Sequence, residues 1–262
     1  MKRFERRRTP GFPRVTSPRF LHLAPDGAGG AAHLTETRAL AYDYRVLLAI
    51  DTSAGTSVAI VDRDAGVLAE RSSDDTRRHA EVVGSFIAEC LDEAGIAVTA
   101  LSGVVAGMGP GPFTGLRVGI AAARVFAFGA GKPVIPIVSH DAIAYSEALA
   151  GRTDPLLVVT DARRREVYWT TFGEPGGSSV DDSGLPVRAN GPILASPADL
   201  ESTVPDFPAY RRLDASVVSA SALGLLAEAL YVNKRPFAAD VALYLRQPDA
   251  IVPGDPKRVT QS

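Results

Sequence analysis

Cysteine is nearly absent from this chain. Of 262 residues only Cys90 is a cysteine, so no internal disulfide can form and the chain reads as one built for a reducing compartment. Cys90 itself falls at an apolar helical position, which suits a small buried hydrophobe better than a reactive thiol. Histidine is almost as scarce. There are four, and two of them (His22 and His33) lie in the first 44 residues, so little remains from which to build a histidine-based metal site. No apolar run approaches the roughly 18–20 residues that span a bilayer, which excludes an obvious membrane protein at the level of sequence. Net charge is also small, at -2. It is unevenly spread. Residues 1–44 hold eight Lys/Arg against four Asp/Glu, and the remainder is acidic, a poor composition for gripping nucleic acid unaided.

The first 44 residues show no sustained periodicity, and Pro10, Pro13, Pro18, Pro25 and the Gly27–Gly30 cluster break any regular element. They read as a mostly disordered basic extension. They lack the apolar stretch of a secretory signal, while their arginine content would suit either an organelle transit peptide or residues added by an upstream start codon. Order is expected from Arg45 onward. Val46–Asp51 is an apolar run ending in an acid, Thr56–Asp62 and Val67–Ser72 follow after tight turns, and together they predict an antiparallel meander. His79–Ala94 switches to three- and four-residue apolar steps and stops at Gly95, which predicts an amphipathic helix. Gly103–Gly107 reads as a strand, Gly115–Gly129 as a helix capped by Thr114, Pro133–Val138 as a strand and Asp141–Ala150 as a helix.

The pattern then begins again. Pro155–Asp161 is another apolar run closed by an acid, and Glu166–Phe172 follows after a polar turn. Strand, Asp, turn, strand therefore occurs twice. A duplicated βββαβα unit is the simplest account, with lobes at 45–150 and 151–262. Residues 173–215, rich in Gly, Pro, Ser and Asp, read as an elaborated loop region; Ser216–Val232 reads as a helix and Leu243–Arg246 as a last strand. On Glu166–Phe172, Tyr168 and Trp169 alternate, so one of the two should pack in the core.

The segment GMGPGPFTGLRVG, residues 107–119, is the densest candidate for chemistry. It fails the dinucleotide fingerprint because Pro112 stands where the third glycine belongs. It fails the phosphate-loop pattern for want of a lysine, and the nucleophile-elbow pattern for want of a serine. Two uses survive. Gly115 and Gly119, four apart on an apolar helix, would let another backbone approach closely; alternatively the helix N-terminus at Thr114–Arg117 would favour an anion.

Taken together, LLAIDTS (47–53), RRHAE (77–81), GMGPGPFTGLRVGIAAAR (107–124), DARRREVYW (161–169) and YLR (244–246) resemble, in that order, the TsaB (YeaZ) family of the bacterial tRNA threonylcarbamoyladenosine machinery. The resemblance departs at Pro112 and Ala242, and residues 1–44 lie outside it. It implies an α/β, actin-like (ribonuclease H-like) fold of two lobes, a cytoplasmic location, and a non-catalytic scaffold. Its implied partners are a TsaD-like catalytic paralogue, a TsaE-like ATPase and a second copy of itself, with tRNA reached only through the complex and no membrane.

On that resemblance the helices of the first lobe form the partner or dimer interface, and Arg78, His79, Val82, Val83, Phe86, Arg117, Ile120, Ala121 and Arg124 are its candidate residues. Asp51, Thr52, Ser53, Thr114 and Asp161 are candidates for a relic phosphate-binding site. No cofactor or metal is expected, beyond vestigial nucleotide binding. The catalytic paralogue places His-x-x-x-His after its glycine-rich helix; here His140 is followed by Ala144 at the second position, and a lone imidazole cannot chelate. The diglycine expected before the last helix is also missing, leaving only Gly224. Arg163, Arg164 and Arg165 form a basic turn, either solvated or in contact with a partner or tRNA phosphate. The competing expectation, supported by Asp51, Asp161 and the glycine segment, is an active actin-like phosphotransferase or a metallopeptidase.

Overall fold

A computed structural model of the chain describes residues 45–246. The expected disordered extension, 1–44, and the tail after 246 lie outside those residues. The first sheet contains β1 (Val46–Asp51), β2 (Thr56–Asp62), β3 (Gly66–Ser73), β4 (Gly103–Gly107) and β5 (Val134–Ile137), in the order β3-β2-β1-β4-β5. The second contains β6 (Leu156–Arg163), β7 (Glu166–Phe172), β8 (Arg188–Ala195) and β9 (Arg211–Ala215), in the order β8-β7-β6-β9. In both sheets the first strand pairs antiparallel with the second and parallel with the fourth, so the duplication inferred from sequence is a repeated topology. This is an actin-like α/β fold.

The helices are α1 (His79–Ala94), α2 (Phe113–Ala130), α3 (Ser139–Leu149), the single-turn α4 (Leu200–Thr203) and α5 (Ala220–Val232). Because strand side chains alternate between faces, β1 can serve two cores at once. Leu47 and Ala49 pack with residues of α3, α5 and β6, while Leu48 and Ile50 pack with Ile87 and Cys90 of α1 and Leu116 and Ile120 of α2. The middle layer, α3 and α5, thus lies between the two sheets. That double burial explains why β1 reads as an unbroken apolar run rather than an alternating one. Gly224 lets α5 settle on β2, where a Cβ would come within 2.7 Å of Val61.

Several boundaries differ from the sequence expectation. Residues 173–215 carry β8 and β9, not a loop. β8 (RANGPILA) is half-exposed and interrupted by Gly191-Pro192, and β9 (RRLDA) is rich in charge, so neither shows an apolar strand signal. Leu243–Arg246 is not a strand, although the Leu243 amide donates to the Met108 carbonyl. Thr114 does not cap α2: Pro112 is the cap residue and Thr114 sits in the first turn. Tyr168 and Trp169 are both buried, because the second sheet is covered on both faces. Gly95 does end α1, in the left-handed conformation. Among the described residues α2 is long and apolar enough to cross a membrane by length and composition, which the sequence pattern did not suggest. One stripe of it, Leu116, Ile120, Ala123 and Ala127, is buried in the first sheet's core.

One buried acid has a measurable consequence. Glu228 on α5 is 4% exposed and its Oε1 has no hydrogen-bond partner among the described residues. Burial, reinforced by Asp62, pushes its carboxyl up to about 8. Between about 4.5 and 8 the folded chain keeps a proton that the unfolded chain has released, so stability falls as pH rises through that window. Glu228→Gln is expected to raise the melting temperature at pH 8 by several degrees and by much less near pH 5, as read by thermal unfolding at the two pH values.

Candidate functional site

Asp51 ends β1 and is fully enclosed. Its Oδ1 accepts the Ser53 amide (2.8 Å) and the Ser53 hydroxyl (2.6 Å), and its Oδ2 accepts the Ser139 hydroxyl (2.5 Å). Burial raises its pKa, and these hydrogen bonds act the other way. Every lone-pair direction used here points to the protein, so Asp51 closes the β1 turn onto the start of α3. Gly107 is the reason it fits: a Cβ there would stand 1.8 Å from Asp51 Oδ2.

Thr52 shows what Gly115 and Gly119 are for. Its hydroxyl donates to the Gly115 carbonyl (2.6 Å) and accepts from the Gly119 amide (2.9 Å), inserting between two groups one helical turn apart. A Cβ on Gly119 would lie 2.2 Å from that hydroxyl oxygen, and one on Gly115 would lie 2.8 Å from the Thr52 carbonyl oxygen. Close backbone approach, one of the two uses open from sequence, is therefore realised.

Beside this contact lies a cleft of about 650 Å³. Its walls include Ser53, Arg77, His79, Thr114, Gly115, Asp161, Arg163 and Ser216. Of the residues expected to form a relic phosphate site, Ser53, Thr114 and Asp161 reach the cleft, whereas Asp51 and Thr52 are consumed by internal hydrogen bonds. Asp161 is exposed; it accepts the Arg163 amide (2.8 Å) and pairs with the Arg163 guanidinium (3.3 Å). Arg163 also reaches across to the Thr76 hydroxyl. Arg163, Arg164 and Arg165 all have positive φ (66°, 52° and 63°), a conformation usually left to Gly or Asn in such hairpin turns.

His140 is buried between the two sheets. Its Nδ1 lies 2.7 Å from the Thr170 hydroxyl and its Nε2 lies 2.9 Å from the Thr160 hydroxyl. Burial, with Arg188 nearby, lowers its pKa to about 3, so the ring is neutral and both nitrogens are engaged. Among the described residues no group of three or more His, Cys, Asp or Glu is placed to hold a metal.

The α1/α2 residues singled out from sequence divide by orientation. His79, Val83 and Ile120 face the core, and Val82 and Phe86 are half-buried. Arg78 pairs with Glu81, Arg124 pairs with Asp240, Arg117 lies over the Phe113 ring at 3.8 Å, and Ala121 is exposed. The face left to solvent has a different membership. Val125 and Phe128, 72% and 89% exposed, continue from Ala121 along α2, while Ala80, Gly84 and Ala88 are exposed along α1. Sequence reasoning missed Val125 and Phe128 because α2 is apolar nearly all round, and periodicity alone does not say which side faces water.

The YeaZ structure from Pseudomonas aeruginosa superposes with a TM-score of 0.62 at 24% identity, covering 77% of this chain and all of that one, which shows a shared fold. An uncharacterised Mycobacterium tuberculosis protein is 39% identical over 208 residues, 78% of this chain and 93% of that protein. An uncharacterised Mycobacterium leprae protein is 36% identical, with the match spanning 56% of its length. Residues 55–197 match the family described as TsaD, tRNA N6-adenosine threonylcarbamoyltransferase. The tRNA threonylcarbamoyladenosine biosynthesis protein TsaB of Haemophilus influenzae is 36% identical over 125 residues, 47% of this chain and 52% of that protein. The chain belongs to the TsaB (YeaZ) family. In this TsaB-family chain, the glycine segment is a packing device with a structural partner in Thr52, and His140 is an imidazole held by two threonine hydroxyls.

Proposed function

We propose that this TsaB-family chain is a non-catalytic subunit of tRNA threonylcarbamoyladenosine biosynthesis that docks a TsaD-like paralogue through α1 and α2. The observation that carries the proposal is the solvent-facing apolar strip of α2, Ala121, Val125 and Phe128, beside the small residues Ala80, Gly84 and Ala88 of α1. Small side chains on one helix and a projecting aromatic on its neighbour suit the burial of a further helix pair. The non-catalytic role is supported by two engaged groups: Asp51 is saturated by Ser53 and Ser139, and His140 is held by two threonines, so neither is available to a metal or a substrate. In this proposal the chain needs no cofactor, acts in the cytoplasm, reaches tRNA only through the complex, and offers the same face to a second copy of itself when the paralogue is absent. A TsaE-like ATPase completes the assembly.

The experiment is reconstitution. The purified chain is mixed with its paralogue and the ATPase, and association and tRNA modification are measured. Modification that proceeds equally well without this chain would overturn the proposal. Phe128→Glu is expected to leave folding intact, because the ring is already in water, and to weaken association roughly 30-fold or more. Unchanged affinity in that variant would move the interface elsewhere.

A further inference from the structure

We propose that a second cavity, bordered by the segment that follows α5, binds a free α-amino acid with an apolar side chain, its zwitterionic head held by the Asp141–Arg188 pair. The cavity measures about 370 Å³, within the range of small-molecule sites. It lies just past the C-terminal ends of the parallel strands β4 and β5, where open α/β sheets hold ligands. Met108, Ile137 and Val138, which follow or end those strands, form a buried floor. Much of the remaining wall comes from residues 236–243. That segment is tied down at two points. The Ala238 amide donates to the Pro136 carbonyl, and the Leu243 amide donates to the Met108 carbonyl. Between the ties Asp240 reaches Arg124 of α2 (2.7 Å), and Ala238 and Ala239 offer the cavity only methyl groups, too short to fill it.

Among the described residues, Asp141 and Arg188 are the only ionisable side chains of a lining that is otherwise apolar. Packing alone does not call for them, since replacing a sheltered ion pair by apolar residues is often neutral or stabilising. Their charges cancel, so a ligand with net charge would enter an apolar space uncompensated. A zwitterion brings both signs. The bonds from Arg188 to Asp141 (3.2, 2.7 and 2.6 Å) use Nε and Nη2, which leaves the Nη1 hydrogens to a carboxylate. Asp141 Oδ1 accepts two of those bonds and Oδ2 one, so Oδ2 keeps a lone pair for an ammonium group. The apolar floor suits an aliphatic side chain. The inference is independent of whether α2 docks a partner.

The test is a titration of the isotope-labelled full chain with L-leucine, followed by NMR. Saturable shifts of the Ala239 and Val241 amides and of the Ile137 and Leu243 methyls are expected, with a dissociation constant of about 0.1–5 mM. Isocaproate and isoamylamine are leucine without its ammonium and without its carboxylate, and glycine is the head without the apolar body. Each is expected to bind at least about tenfold more weakly. Ala239→Phe puts a ring into the cavity from an exposed position, so folding is retained and leucine binding is expected to fall about tenfold or more. Asp141→Asn combined with Arg188→Gln removes both charges without leaving a lone ion, and is expected to have the same effect on binding. Any of three results would overturn the proposal: no saturation by leucine up to about 50 mM, a control ligand binding as tightly as leucine, or parent affinity in the Ala239→Phe chain.

Discussion

Gly107→Ala is expected to cost this fold at least about 3 kcal/mol, a fall of roughly 6–12 °C in melting temperature for a chain of this size. The added Cβ would stand 1.8 Å from Asp51 Oδ2, 2.7 Å from Asp51 Cγ and 3.0 Å from Ser139 Oγ. Neither side can yield cheaply. β4 is held on both flanks, by β1 and β5, so the backbone cannot retreat without opening the parallel ladder. The carboxylate cannot swing away without giving up the Ser53 and Ser139 hydroxyls in a site closed to water. Gly129→Ala is the matched control. That glycine lies in α2 with nothing within 4 Å of the added methyl, and the substitution is expected to stabilise by about 0.5–1 kcal/mol through helix propensity. Thermal or denaturant unfolding of the two variants beside the parent measures both. A Gly107→Ala chain as stable as the parent would show that the Asp51 network does not hold the first sheet to α3.

The second large effect is loss of stability in acid, and it centres on His140. The ring is fully buried between threonines, and its pKa is lowered from 6.5 to about 3, chiefly by burial. In the unfolded chain it takes up a proton as pH falls below about 6.5, while in the folded chain it stays neutral. The unfolded state therefore binds more protons, and stability is lost as pH falls through that window. The loss reaches on the order of 4 kcal/mol by pH 3. Glu228 slopes in the opposite direction above about 4.5, so these two groups together place their best pH between about 4.5 and 6.5. His140→Gln retains hydrogen-bonding capacity without the titration. It is expected to lower stability at pH 7 and to flatten the acid limb below pH 6. An acid limb of unchanged steepness in that variant would assign the acid sensitivity to other groups.

Much of the fold could be read before the structure. The apolar runs at 46–51 and 155–161, each closed by an acid, identified the two founding strands, and the three- and four-residue spacing from His79 identified α1. β8 and β9 could not be read, since a half-exposed strand broken by Gly191-Pro192 and a five-residue strand with three charged residues look like loop. The candidate site divides the same way. Thr114, Asp161 and Arg163 do meet at one cleft. Asp51 and Thr52, beside them in sequence, are turned inward, and nothing local distinguishes them from Ser53.

By itself the sequence determined the order of elements from β1 to β7, the repeated strand-acid-turn-strand unit and the family, because those rest on local patterns a few residues long. The tertiary structure alone decided which groups are free to act. Asp51 meets Ser139 across 88 positions, and Thr52 meets Gly119 across 67. Contacts of that span are set by how strands and helices pack, and no short pattern records them. The same packing turned His79, Val83 and Ile120 inward and left Val125 and Phe128 in water, because an all-apolar helix can bury only the stripe that its neighbours reach.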